Sequence, residues 1–106
     1  MNESEWVITQ KDEDGGLRAA VLRVTDACRV TASRVWPPRT IPRMTLKIQL
    51  NGINYEQHVD WTGKSIGNPT DGQVMAWAAG EARDMLAALA DMAQEAAIAL
   101  DARGLI

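Results

Sequence analysis

Phenylalanine is absent from this chain; tyrosine, cysteine and histidine occur once each, and no apolar run approaches the length of a membrane span. Each shortage excludes something. With four Trp and one Tyr as the only aromatics, the core has to rest on Val, Leu, Ile, Met and Ala. A bilayer-spanning helix needs about 20 apolar residues, and the opening MNESEWVIT is polar and acidic, unlike a signal peptide. The lone Cys28 cannot close an internal disulfide, which makes a reducing compartment the default. A cytoplasmic protein with no membrane partner is expected.

Chemistry is equally short of materials. Cys28 alternates onto the apolar side of its segment, the usual setting of a buried structural thiol. His58 has no Cys or His neighbour in sequence, and a zinc site needs three or four ligands. No carboxylate pair is set apart in an apolar stretch, as a shifted acid/base pair requires. No catalytic residue, metal or cofactor is expected, and an enzyme is not the reading.

One stretch does suggest a site. In 61-WTGKSIGNPTDGQ-73, Gly63-Lys64-Ser65 is the tail of a phosphate-binding loop. The full pattern wants a glycine five positions earlier, where His58 stands, and a helix opening at the lysine between a parallel strand and that helix. Ile66-Gly67-Asn68-Pro69 intervenes instead. The tripeptide reads as linker.

What is present is organised. At 106 residues the chain is one domain. Trp6 to Gln10, Leu17 to Thr25 and Cys28 to Trp36 read as strands, although Ala19–Val24 also suits a helix. In the third run Cys28, Val30 and Ala32 alternate with Arg29, Thr31 and Ser33, the pattern of a half-exposed strand. The 37-PPRTIP-42 segment has three prolines in six residues and must be loop or extended chain. In 44-MTLKIQL-50 the alternation is strict, and Asn51-Gly52 is the preferred pair for a type I′ hairpin turn. Folding there pairs Leu50 with Ile53, Ile48 with Tyr55, Leu46 with Gln57 and Met44 with Val59.

From Asp71 the period becomes helical. Val74, Met75, Ala78, Ala82, Met85, Leu86, Leu89, Met92, Ala93, Ala96, Ala97 and Leu100 fall on one broad face. Thr70 and Gln73 fit a capping box, while Arg103, Gly104 and Leu105 suit a helix end. The expected fold is α+β: an antiparallel meander of four or five strands over 1–61, a linker over 62–70 and one long helix over 71–104. Such a helix would run about 50 Å, against a radius of gyration near 13 Å for a compact chain of this size. Either the helix bends near Gly80 or a second subunit covers the overhang. Ala78, Ala82, Met85, Leu89, Met92, Ala96 and Ala99 keep 4-3 spacing, which suits an antiparallel helix-mediated homodimer.

Charge separates along the chain. Residues 17–47 carry seven basic residues against Asp26 alone, net +6, and residues 71–106 carry six acidic against two basic, net −4. Two candidate surfaces follow. Trp77, Glu81, Asp84, Ala88, Asp91 and Glu95 recur at helical spacing opposite the core face, an acidic stripe with an aromatic anchor of the kind that binds a protein partner. Trp36 in the adjoining loop is a supporting contact. The leading expectation is a non-enzymatic protein–protein interaction protein, an inhibitor or adaptor, whose acidic stripe occupies a basic groove on its partner. Small phage-encoded inhibitors such as anti-CRISPR proteins suit the size. The alternative is single-stranded DNA or RNA binding by Arg29, Arg34, Arg39, Arg43 and Lys47 on the sheet, beside Trp36 and Tyr55. A third is an assembly chaperone or subunit of a larger complex using the same surfaces.

Overall fold

The computed structural model describes residues 5–13, 15–35, 43–60 and 69–104. Five antiparallel strands, β1 (Val7–Lys11), β2 (Leu17–Thr25), β3 (Cys28–Val35), β4 (Arg43–Leu50) and β5 (Ile53–Asp60), form one sheet in sequential order, followed by a single helix, α1 (Asp71–Ala102). The fold is the expected α+β meander. The Ala19–Val24 segment, open to either period, is strand, because it pairs with β1 on one side and β3 on the other.

The β4–β5 hairpin has the register that its turn dictates: Leu50–Ile53, Ile48–Tyr55, Leu46–Gln57 and Met44–Val59 are all paired. Asn51 and Gly52 take φ of 50° and 85°, the double positive φ of a type I′ turn that matches the natural twist of the strands. Both sheet edges are weakly covered. β1 is short, exposed throughout and interrupted by register shifts, a form that resists edge-to-edge pairing.

One face of the sheet is apolar. Ala20 and Leu22 from β2, Cys28, Val30 and Ala32 from β3, and Met44, Leu46 and Ile48 from β4 are buried against Val74, Met75, Ala78 and Ala82 of α1. Cys28 is the buried free thiol that its alternation implied. Trp6 joins this core and Trp77 packs against it, so tryptophan contributes more to the interior than the composition suggested.

The start of the helix is fixed twice over. Thr70 Oγ1 accepts from Gln73 N at 3.2 Å and Gln73 Oε1 accepts from Thr70 N at 2.8 Å, the reciprocal capping box. Beside it lies a buried guanidinium. Arg34, only 5% exposed, donates to the Pro69 carbonyl oxygen and sits 3.7 Å from Asp12 and 3.5 Å from Asp71. Asp71 Oδ1 also accepts from Leu17 N at 2.9 Å. The β1–β2 turn, β2, β3 and the first turn of α1 thus meet at one cation.

The helix does not bend at Gly80. It runs unbroken for 32 residues, about 48 Å at 1.5 Å per residue, and the radius of gyration is 16.8 Å with a longest extent of 58 Å. A side chain at Gly80 would meet nothing within 4 Å, so no close approach requires glycine there. From Ala90 to Gly104 every residue is exposed; the sheet ends and the helix continues.

Two stability predictions follow from this geometry. Arg34→Met leaves Asp12 and Asp71 facing each other without a cation and should cost about 3 kcal/mol, read as a lowered urea midpoint, whereas Arg29→Met on the open face should change stability by no more than about 0.5 kcal/mol. Gly80→Ala should raise stability by about 1 kcal/mol, because it removes the helix penalty of glycine without a clash; a lower midpoint would show that the helix is not continuous there.

Candidate interaction surfaces

The covered and uncovered halves of α1 present different chemistry. Over residues 74–89 its inward side lies on β3 and β4, with Val74, Met75, Ala78 and Ala82 buried and Met85, Leu86 and Leu89 half-buried. The same side continues past the end of the sheet as Met92, Ala93, Ala96 and Leu100, all exposed; Met92 is 56% and Leu100 42% exposed. Where helix and sheet part, two open apolar grooves flank Leu86. One, of about 470 Å³, lies between Leu50 and Tyr55 at the β4–β5 turn and Leu89, Met92 and Ala93 of the helix. The other, of about 260 Å³, lies between Leu22, Val24 and Val30 and the Ala79, Ala82 and Arg83 side of the helix.

The predicted acidic stripe is divided by the structure. Trp77 is half-buried and packs on the core, so it is not the exposed anchor that its position opposite the apolar arc implied. Glu81, also half-buried, accepts from Gln57 Nε2 of β5 at 3.2 Å. Both lie on the first half of α1, which the sheet covers, so residues flanking the apolar arc are half-buried there. Asp84, Asp91 and Glu95 are exposed as expected. Asp84 pairs only with its neighbour Arg83, at 3.3 Å on an exposed surface, where such a pair contributes little.

Of the described basic candidates, Arg29, Arg43 and Lys47 share the open face of the sheet and Arg34 does not. Arg34 shares parity with Cys28, Val30 and Ala32 and points inward to its carboxylates, so it cannot meet a phosphate. Arg43 is held by Asp60 across the hairpin, Nε to Oδ1 at 3.0 Å, and Lys47 stands opposite Glu56 in the register. Arg23 is paired with Asp26 at 2.9 Å. Among the described residues, Arg29 and Lys47 have no ion pair within 4 Å. His58, on the open face, lies 3.1 Å from Thr45 Oγ1 through Nδ1 and 3.7 Å from Glu56 through Nε2. Tyr55 points toward the helix, so the described aromatics Trp6, Tyr55 and Trp77 all sit on the core side, leaving no stacking platform among the described residues of the open face. Trp36, Arg39, the proline segment and the Gly63–Ser65 tripeptide lie outside the described residues. What is described around the tripeptide, an antiparallel edge strand before it and a helix that begins only at Asp71, is not the frame of a phosphate loop.

Among the described residues no group of three or more His, Cys, Asp or Glu is arranged to hold a metal ion, and no helix is long and apolar enough to cross a membrane. Sequence reasoning missed the two grooves, because each joins a helix residue to a strand residue remote from it in sequence. It also missed Arg34, for which the signal was available in the parity of its strand. No protein-family model, curated protein or solved structure matches the chain.

The paired and divided basic side chains make a specific outcome expected for nucleic acid. A labelled single-stranded oligonucleotide should show no rise in fluorescence anisotropy at about 50 mM salt; binding there that is lost by about 200 mM would restore the open sheet face as a phosphate-tracking surface.

Proposed function

We propose that this chain is a non-enzymatic protein–protein interaction protein, an inhibitor, adaptor or subunit, whose working element is the projecting C-terminal half of α1. One observation carries the reading: a helix anchored at its N-terminus by a capping box and an ion-paired arginine runs on for thirteen exposed residues, from Ala90 to Ala102, with an apolar stripe in water. Helices of that length are marginal on their own, and most helical stability in proteins comes from covering an apolar face. A segment that keeps Met92 and Leu100 exposed gains that cover from a second polypeptide. The stripe fits a hydrophobic groove or another helix, the helix-in-groove mode of recognition. The opposite side, with Asp84, Asp91 and Glu95, adds preference for a basic rim and speeds encounter with it.

This reading moves the anchor from Trp77 to the Met92–Leu100 region, and keeps Asp91 and Glu95 as flanking charges. The basic sheet face is the weaker rival, since Arg23 and Arg43 are paired within the chain and Arg34 points inward. Affinity capture with three immobilised proteins tests the assignment. Met92→Glu/Leu100→Glu should lose the partners held by wild type while its far-UV spectrum and unfolding midpoint stay unchanged. Trp77→Ala should lower stability by about 2 kcal/mol, from lost packing, yet hold the same partners. Identical capture by wild type and the double variant would overturn the proposal.

A further inference from the structure

The stripe that leaves the sheet is self-complementary, and the match selects one partner and one register. Leu89, Met92, Ala96, Ala99 and Arg103 follow each other at intervals of 3, 4, 3 and 4, the spacing of a seam between two helices. Large residues occupy its first half and small ones its second. In an antiparallel pair with Met92 against the partner's Ala96, Leu89 falls against the partner's Ala99, and both matches repeat across the two-fold axis. Every large side chain then faces a small one, the arrangement that lets layers interdigitate at close approach.

The fold excludes the parallel alternative. Ala78, Met85 and Leu89 lie on this same stripe, and the sheet covers that side of the helix up to Leu89. Two helices aligned in parallel along the stripe would drive their sheets into one space, whereas an antiparallel pair carries them at opposite ends. The groove of about 470 Å³ between Tyr55, Leu50, Leu89 and Met92 is open where the last two turns of the partner helix must enter, and those turns offer Ala96 and Ala99, small enough to be seated. We infer that the apolar stripe of α1 binds a second copy of this chain as an antiparallel helix pair centred between Met92 and Ala96. The acidic residues Asp84, Asp91 and Glu95 stay outside this seam. This inference rests on the projecting helix being an interaction element and names its occupant.

Sedimentation equilibrium at tens of micromolar should give twice the chain mass of 11.6 kDa. Ala96→Glu buries a carboxylate against Met92 and should weaken the dimer by about 100-fold, with the unfolding transition of the folded domain retained; Ala87→Glu, on the outer side, should leave it intact. Register is read by cross-linking, which the buried Cys28 does not disturb. Oxidising a mixture of Met92→Cys and Ala96→Cys proteins should give the mixed disulfide dimer in preference to either self-pair. A monomeric wild type overturns the inference, as does a dimer indifferent to Ala96→Glu or one in which Met92→Cys preferentially links to itself. A monomer that nevertheless captures another protein through Met92 and Leu100 overturns only the second copy and leaves the interaction function standing.

Discussion

The Arg34 guanidinium is the constraint on which the placement of everything else depends. It is buried on the inward face of β3, where its neighbours along the strand are Ala32, Val30 and Cys28. A cation in that position is tolerable only if it is neutralised, and the groups that neutralise it come from the two ends of the fold: Asp12 from the β1–β2 turn and Asp71 from the first turn of α1. Pro69, itself fully buried, supplies a carbonyl. Buried ion pairs are weak contributors to net stability, because desolvation cancels much of the Coulomb gain. Their effect is on which arrangement is permitted. Any slide of the helix along the sheet would strand the cation, and any one-residue slip of β3 would put Arg34 outside and Val35 within.

With its N-terminus held there, the helix can be long without being loosely attached. Asp71 serves three ends at once: it pairs with Arg34, accepts from Leu17 N, and places a carboxylate in the first turn, where the helix dipole favours it. The capping box closes the Thr70 and Gln73 amides. From that anchor the direction of α1 across β3 and β4 is set, and so is the point at which it runs out of sheet. The grooves beside Leu86 are the consequence. They form because strands of eight or nine residues span about 30 Å at 3.4 Å per residue, while the helix spans about 48 Å. The surplus is a rigid, apolar-striped arm rather than a flexible tail, which is why its side chains can be matched in register.

The electrostatic separation along the sequence has a similar resolution. Net +6 over 17–47 and net −4 over 71–106 suggest a basic face and an acidic face, each seeking an external partner. In the folded chain much of this charge is matched internally: Arg34 with Asp71 and Asp12, Arg43 with Asp60, Arg23 with Asp26. What remains unmatched at the acidic end is concentrated on the projecting arm, at Asp91, Glu95 and Asp101. The imbalance visible in the chain therefore overstates the basic surface and understates how selectively the acidic one is displayed.

The parts legible in the sequence are those governed by local chemistry. Asn51-Gly52 fixed the hairpin register because only such a pair tolerates two successive positive φ values, and the alternation of Met44, Leu46, Ile48 and Leu50 agreed with it. Thr70 and Gln73 marked the helix start because a capping box needs only the residues that form it. The 3.6-residue period marked the helix itself, and its length announced an overhang. Strand parity also placed Arg34 inward, but one arginine among six over 17–47 reads as part of a basic group until its carboxylates, 22 residues before it and 37 after it in the chain, are known. Trp77 could not be placed from a helical wheel, since it packs against a core assembled from strands remote from it in sequence. Sequence by itself determined the elements, their caps and the apolar stripe, all of which depend on neighbours within a few residues. Only the tertiary structure decided which stretch of that stripe the sheet covers and which is left for a partner, because that boundary is the meeting of two lengths, strand and helix, brought together by contacts between residues far apart in the chain.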